Sequence, residues 1–387
     1  MTSIAPGDAR ALAAALVRVD SRNPTLAEGG PGEGACAQLL RGVLDAWGFR
    51  TELHDAAPGR PNLVARIGGG VAGQSSRSLM LNGHLDVVGV EGMRHPPFAA
   101  EARDGRLYGR GAADMKGGIA AMCAAALRAS RAGARGEIVV AAVADEEYES
   151  LGTRTLLARG VRADACVVTE PTRLAIMPAH RGFVWLQVEL RGRAAHGSRW
   201  DIGVDAIRHA GLLLADLDTY DADVLPTRTH PLLGRGSLHA SLIEGGAGMS
   251  TYPERCVLTL ERRTIPGESA ADALDELRLA CERIRARRPT FAAELRLLVA
   301  QGPSDVSVDT PLVRGLDTAL RDCGERVAVE GMSAWTDAAL LNEAGIPAVC
   351  FGPGDISLAH AAEEYIPLDE IDRATAVLAS FAGRWCA

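Results

Sequence analysis

The sequence lacks the features that mark membrane-spanning, disulfide-bonded and nucleic-acid-binding proteins. Its longest unbroken apolar run, residues 119–127, is far shorter than the ~18 residues that a helix needs to cross a bilayer. The 8 cysteines are scattered without a CxxC pair, which argues against a disulfide framework and against a thiolate zinc site. The net charge of −8 argues against a surface that binds nucleic acid. We therefore expect neither a membrane partner nor a nucleic-acid partner.

The start of the chain also lacks the pattern of a secretory signal. Asp8 and Arg10 precede apolar residues at helical spacing, without the basic start and apolar core that a signal peptide has. Unpaired cysteines are typical of a reducing compartment, so we expect a cytoplasmic protein. At 387 residues, with 47% hydrophobic and 23% charged residues, the chain is long enough for two ordinary globular domains.

Short apolar strands alternate with helical stretches in the first part of the chain. Strand patterns occupy residues 62–67, 78–82, 137–144 and 165–168, and an apolar helix is predicted over 119–128. This alternation is typical of the α/β class, in which a sheet is flanked by helices. Similar patterns resume after Pro303 and end in a helix over 371–385.

The pattern between these two parts is different. Here the order is strand, helix, strand, strand, helix, strand, over residues 183–190, 205–217, 236–244, 255–262, 270–288 and 294–299. That order predicts an α+β, ferredoxin-like domain inserted into the first. The expected division is residues 1–180 and 300–387 for the first domain and 181–299 for the second.

His84 and Asp86 stand two residues apart at the end of an apolar strand. Residues i and i+2 of a strand point to the same face, so the imidazole and the carboxylate share a side. Such a pair suits a divalent metal or a proton relay. The alternative is a buried histidine that is hydrogen-bonded to a nearby aspartate.

Other polar residues also follow predicted strands or lie in loops. Ligands of open α/β sheets bind at the carboxyl ends of the strands, where such residues gather. The glycine-rich stretch 107–118 matches neither GxxxxGK[ST] nor GxGxxG, which argues against a phosphate-binding loop. Carboxylates that end an apolar strand are costly unless they are paired, solvated or bound to metal, and a solvated turn is the simplest alternative. The candidate residues are Asp114, Glu146, Glu147, Glu170 and His360.

This set of side chains points to a two-metal hydrolytic site. Nitrogen and oxygen ligands without cysteine suit Zn²⁺ or Co²⁺, with Mn²⁺ as a further possibility. Two such ions ~3.5–4 Å apart activate a bridging water. Glu146 suits the general base because it adjoins a ligand in sequence. Asp86 suits the role of orienting His84 through its second ring nitrogen.

Five segments, in this order, resemble the M20 metallopeptidases, a family that includes acetylornithine deacetylase, succinyl-diaminopimelate desuccinylase, aminoacylase-1 and the glutamate carboxypeptidases. The segments are GHLDVV at 83–88, GAADMKGG at 111–118, DEE at 145–147, TEP at 169–171 and AH at 359–360. The resemblance implies a zinc-peptidase-like catalytic domain with a mixed sheet, and an inserted lid and dimerisation domain. It also implies a homodimer.

The resemblance further implies a role for each candidate ligand. Asp114 would bridge two zinc ions, and the peptide bond from Asp114 to Met115 would be cis. Glu146 would be the general base, and Asp86 would orient His84. The remaining ligands would be His84 and Glu170 on one ion, and Glu147 and His360 on the other.

In the inserted domain the resemblance singles out two residues. His196 would reach the partner subunit's active site and stabilise the oxyanion. Arg263 would bind the substrate carboxylate through its guanidinium fork, whereas Arg262 points to the other face of its strand and is expected to be structural.

One departure from the family concerns substrate contacts. Many relatives carry an asparagine in the loop at 245–251, where this chain has none, so Ser250 or Thr251 would take its place. Further substrate contacts are expected from Ser333, Thr336 and Gly354.

The resemblance implies a hydrolase that cleaves the amide bond of an N-acyl amino acid, with activity like that of acetylornithine deacetylase. The alternative within the class is a dipeptidase or carboxypeptidase that acts on short peptides, for which the metal site would be the same. A third hypothesis is a non-catalytic binding protein on this fold, but the presence of every ligand and of Glu146 argues against it.

Overall fold

The computed structural model describes residues 4–69 and 76–387. The chain forms two compact units. The first comprises the chain up to Pro178, with Val306–Glu330 and Thr336–Ala387, and the second comprises Ala179–Asp305 with Gly331–Trp335. The second unit therefore runs past residue 299, where we expected it to end, because its last long strand continues to Gln301.

The helices of the described residues include those predicted over 119–128, 270–288 and 371–385, to within a few residues, and the one predicted over 205–217, which continues to Asp223. They are α1 Ala9–Val17, α2 Gly34–Ala46, α3 Gly117–Arg131, α4 Leu151–Ala158, α5 Ala206–Asp223, α6 Ala270–Arg287, α7 Pro311–Asp322, α8 Ala338–Glu343 and α9 Leu368–Trp385. A kinked turn, Ala112–Lys116, leads directly into α3. None of these helices is both long enough and apolar enough to cross a membrane.

The strands include several that the sequence patterns did not predict. They are β1 Arg50–Ala57, β2 Arg60–Gly68, β3 Leu79–His84, β4 Glu101–Arg103, β5 Arg106–Tyr108, β6 Glu137–Val143, β7 Cys166–Val168, β8 Ile176–His180, β9 Gly182–Arg191, β10 Thr229–His230, β11 Gly234–Arg235, β12 Ser237–Gly245, β13 Arg255–Thr264, β14 Ala292–Gln301, β15 Ser304–Asp305, β16 Val329–Met332, β17 Ala348–Cys350 and β18 Tyr365–Pro367. The edge strand β1 was missed because its side chains are half-buried or exposed, so it shows no apolar alternation.

The sheet of the first unit is mixed, as predicted. Its strands follow the order β1-β2-β6-β3-β7-β17-β8. Strand β3 runs parallel to β6 and β7, and β17 runs parallel to β7, whereas β2 is antiparallel to β1 and β6. Because four neighbouring strands are parallel, their carboxyl ends meet at one edge of the sheet.

Helix α3 forms the centre of the first unit's core. Its side chains are apolar around almost the whole circumference and buried, which is the pattern of a helix enclosed on all sides. It packs against α1, α9 and the sheet. Gly118 allows this close approach, because a Cβ there would lie 2.0 Å from the carbonyl oxygen of Thr169.

The second unit has the predicted ferredoxin-like order. Its four strands lie in the order β12-β13-β9-β14, and every neighbouring pair is antiparallel. Helices α5 and α6 bury apolar faces against the sheet, with Leu213 and Leu277 among the buried residues. Helix α6 begins with a capping box, in which Ser269 and Asp272 satisfy each other's backbone N–H groups.

Candidate metal centre

The predicted ligands converge at the edge of the first unit's sheet where the parallel strands end. His84 is the last residue of β3, Glu146 and Glu147 follow β6, and Glu170 follows β7. Asp114 reaches the same place from the kinked turn 112–116. Strand topology alone brings together residues that are separated by up to 86 positions in the chain.

Asp114 lies between two histidines. Its Oδ1 is 3.1 Å from Nε2 of His84, and its Oδ2 is 3.6 Å from Nε2 of His360. The same nitrogen of His360 is 3.0 Å from Oε2 of Glu147. Each Asp114 oxygen thus faces a different imidazole, which is the arrangement of a carboxylate that can be shared by two cations.

Two groups of donor atoms are close enough to hold metal ions. One consists of His84, Asp114 and Glu147, and the other of His84, Glu146 and Glu170, with all ligand atoms of each group within 4.8 Å of one another. All of these donors are nitrogen or oxygen, which suits Zn²⁺, Co²⁺ or Mn²⁺.

The electrostatics of the cluster also fit bound cations. Burial raises the pKa of Glu146 and of Glu170 well above the ordinary value, and the charge of a neighbouring carboxylate raises both further. Burial alone would lower the pKa of His84, but its hydrogen bond to Asp114 and the surrounding carboxylates raise it well above the ordinary value. The hydrogen bond to Glu147 raises the pKa of His360 to about 9. Buried carboxylates this close together need compensating positive charge, which divalent ions supply.

Asp86 contacts His84 more closely through its main chain than through its carboxylate. Nδ1 of His84 lies 2.9 Å from the backbone carbonyl oxygen of Asp86, whereas the nearer carboxylate oxygen is 3.7 Å away. The carboxylate instead accepts the backbone N–H groups of Glu146, at 3.1 Å, and Glu147, at 3.3 Å. Asp86 therefore contacts the ring through its main chain and the acidic loop, residues 145–150, through its side chain.

Glu364 holds the backbone of Asp114, a role that the sequence patterns did not indicate. Its Oε1 accepts the N–H groups of Ala113, at 3.0 Å, and Asp114, at 3.2 Å, and its Oε2 pairs with Arg110 at 2.7 Å. The peptide bond from Asp114 to Met115 is cis, as the family resemblance implied. Glu364 is fully buried, although a Glu-Glu pair in sequence is typical of a solvated turn.

Asn23 was also missed, because the segment 21–24 predicted only a turn that ends a helix. Its side-chain N–H₂ donates to Oδ2 of Asp86 at 2.9 Å and to Oδ1 of Asp145 at 3.0 Å. Asp337, next to the predicted Thr336, is a buried carboxylate whose pKa burial raises to about 6 and which accepts the hydroxyl of Thr153 at 2.6 Å. Only the fold brings these partners to the site.

The second unit carries the predicted His196, Arg262 and Arg263. Nδ1 of His196 accepts the backbone N–H of Ser198 at 3.2 Å, so in the neutral ring the proton is on Nε2. Arg262 is buried and paired with two glutamates, in line with the structural role expected of it. The half-buried Arg263 pairs with Glu261 through Nε and lies over the ring of Phe183.

The residues predicted to contact the substrate differ in their exposure and in their hydrogen bonds. Ser250 and Thr251 are exposed and pair with the loop that carries His196, and Ser333 is exposed. The hydroxyl of Thr336 accepts the N–H of Ala338, and the N–H of Gly354 donates to Glu370 at 2.8 Å. The substrate roles of all five residues remain predictions, and Thr336 and Gly354 already use these groups within the fold.

Comparison with known proteins gives the same family as the motifs. Residues 80–384 match the model of peptidase family M20/M25/M40. The acetylornithine deacetylase of Myxococcus xanthus is 34% identical over 354 residues, which cover 89% of this chain and 90% of that protein. The N-formyl-4-amino-5-aminomethyl-2-methylpyrimidine deformylase of Halalkalibacterium halodurans is 28% identical over 381 residues, which cover 90% of this chain and 88% of that protein.

Solved structures share the fold. The aminopeptidase PepT of Bacillus cereus superposes with a TM-score of 0.80 at 19% identity and covers 100% of both chains. The YXEP protein of Bacillus subtilis, described as a dinuclear metal-binding peptidase of the M20 family, has a TM-score of 0.74 at 16% identity and covers 97% of both chains. At these identities the likeness concerns the fold alone.

Proposed function

The chain belongs to peptidase family M20/M25/M40, and from that premise we propose that it is a di-metal hydrolase that removes the acyl group of an N-acyl amino acid. The observation that carries the proposal is the position of Asp114 between His84 and His360, with Glu146 beside them. The named relatives include a deacetylase and a deformylase, which favours deacylation over the exopeptidase alternative.

As the family resemblance implies, the donors would divide between two ions that share Asp114. His84 and Glu170 would hold one ion, and Glu147 and His360 the other. The nitrogen and oxygen donors fit Zn²⁺, and Co²⁺ or Mn²⁺ fit as well. When bound, the ions supply a water of lowered pKa and polarise the acyl carbonyl.

The chain's own side chains would perform the proton transfers. Glu146 takes a proton from the attacking water and passes it to the leaving nitrogen as the amide C–N bond breaks, which releases a carboxylic acid and an amine. Nε2 of His196 donates to the oxyanion. The guanidinium of Arg263 binds the substrate carboxylate, and Ser250 or Thr251 supplies a further contact in the loop that lacks asparagine.

The second unit would serve as a lid and as the surface of a homodimer. Strand β12 is an edge strand that carries Leu242 and Ile243, with exposed fractions of 68% and 60%. An exposed edge with apolar side chains is a template for pairing with a second copy. Pairing there would allow His196 to act in the partner's site.

We assign the protein to the cytoplasm on the state of its thiols. All the cysteines are free, and most of them are buried. Thiols that stay unpaired are typical of a reducing compartment.

A substrate panel tests this proposal. The panel comprises N-acetylornithine, N-succinyl and N-formyl amino acids and dipeptides, with Zn²⁺ or Co²⁺ added, and Glu146→Gln as the inactive reference. We expect acyl hydrolysis that Glu146→Gln loses while it still binds metal, with kcat ~10²–10⁴-fold lower. Cleavage of dipeptides alone would favour the exopeptidase, and metal binding without any hydrolysis would favour a binding protein.

A further inference from the structure

Arg60, Glu33 and Asp145 form a buried ionic cluster at the start of the acidic loop that follows β6. Arg60 is 8% exposed and Glu33 is fully buried. Nε of Arg60 donates to Oε2 of Glu33 at 3.0 Å, and its Nη1 donates to Oδ1 of Asp145 at 2.7 Å. One guanidinium therefore joins two buried carboxylates through separate nitrogens of its planar fork.

Asp145 is held through its main chain as well as its side chain. Its φ of +65° is a left-handed conformation that non-glycine residues rarely adopt, so the surrounding contacts have to maintain it. Its N–H donates to Oε1 of Glu33 at 3.2 Å. Its Oδ2 accepts the N–H of Glu149 at 3.3 Å and that of Leu151 at 3.4 Å, which closes the loop on itself.

A chain of hydrogen bonds links Asp145 to the candidate ligands. Asn23 bridges the carboxylates of Asp145 and Asp86, and Asp86 accepts the N–H groups of Glu146 and Glu147. The backbone of Glu146 and Glu147 is therefore fixed by a network that Arg60 anchors.

We propose that Arg60, clamped by Glu33, is a positioning residue that sets the geometry of the metal centre through Asp145. The inference rests on the proposed function in one respect, because it takes Glu147 to be a metal ligand. Outer contacts of this kind orient metal ligands, and their loss typically lowers metal affinity ~10–100-fold.

Cobalt titration of the full-length protein tests the inference directly. Arg60→Lys keeps the positive charge but loses the planar fork that binds Glu33 and Asp145 through separate nitrogens. We expect its affinity for at least one Co²⁺ ion to fall ~10–100-fold relative to the unsubstituted protein. With an active substrate, kcat should fall while KM changes little, since Arg60 is buried.

The matched control is Arg66→Lys on the same strand. Arg66 pairs with Glu137 at 2.6 Å, at a partly exposed position, and is not part of the network. This variant should keep the Co²⁺ affinity of the unsubstituted protein. Hydrogen exchange should accelerate over residues 144–151 in Arg60→Lys and stay unchanged there in the control.

A second variant keeps the inference testable if Arg60→Lys does not fold. Asp145→Asn preserves the size of the side chain and leaves the pair of Arg60 and Glu33 in place. Because it removes the carboxylate charge that Arg60 binds, we expect it to lower the Co²⁺ affinity as well. Unchanged Co²⁺ affinity in folded Asp145→Asn and in folded Arg60→Lys would overturn the inference. If the unsubstituted protein binds Co²⁺ but hydrolyses no substrate of the panel, the proposed function is overturned. The inference is then left intact, because it is tested by the Co²⁺ affinity of the variants.

Discussion

The Asp86 carboxylate accepts the backbone N–H of Glu146, with 3.1 Å between Oδ1 and the nitrogen. Its other oxygen takes the next N–H along the chain, that of Glu147. A carboxylate that binds two successive N–H groups fixes the peptide planes that carry the proposed base and a proposed ligand. The side chain of Asp86 thus serves the acidic loop, while its main chain serves His84.

This relationship predicts the effect of Asp86→Asn. The amide can accept with only one of its two polar atoms, so one of the two N–H groups loses its partner in a fully buried place. We expect Co²⁺ affinity and kcat to fall ~10–100-fold, measured by cobalt titration and steady-state kinetics. Asp104→Asn, at an exposed turn, is the control and should leave both quantities unchanged. Equal values for the two variants would contradict the role of Asp86.

The trans action of His196 can be tested by subunit mixing. His196→Ala and Glu146→Gln should each be nearly inactive as homodimers. In a mixed dimer, the subunit with intact Glu146 receives intact His196 from its partner, so about one quarter of all sites should recover in a random mixture. Activity is measured after co-refolding or subunit exchange. If the mixture stays as inactive as its components, the site is complete within one chain.

The proposed dimer surface predicts that a charge on β12 halves the mass of the assembly in solution. Leu242→Arg puts a charge on the exposed edge strand β12, where it would be buried without a partner on pairing. We expect the protein to become monomeric in analytical ultracentrifugation. Leu279→Arg on α6, where the leucine is 54% exposed, is the matched control and should leave the mass unchanged. Retention of the dimer by Leu242→Arg would exclude β12 as the interface.

The close packing of α3 predicts opposite effects of two glycine substitutions. A Cβ at Gly118 would lie 2.0 Å from the carbonyl oxygen of Thr169, so Gly118→Ala should lower the free energy of unfolding by about 1–3 kcal/mol. In α2, a Cβ at Gly42 would meet nothing within 4 Å, so Gly42→Ala should raise it by about 0.5–1 kcal/mol. Denaturant titrations measure the free energy of unfolding of both variants, and a decrease in both would refute this account.

The sequence alone was sufficient to predict the α/β class, the inserted ferredoxin-like order and the candidate ligands. These features depend on local patterns: apolar periodicity marks the strands and helices, and polar residues at strand ends mark the site. His84, Glu147, Glu170 and His360 follow from such patterns and Asp114 from its glycine-rich loop, and the first unit brings them together at one edge of its sheet.

Only the tertiary structure decided how the site is supported. Asn23 and Asp145 are 122 residues apart, and Arg60 and Glu33 are 27 apart, so no local pattern connects them. The direction of the Asp86 carboxylate likewise depends on which backbone N–H groups the loop after β6 presents. Local periodicity determines which face of an element is buried, whereas the partner of each buried charge is set by the packing of distant segments.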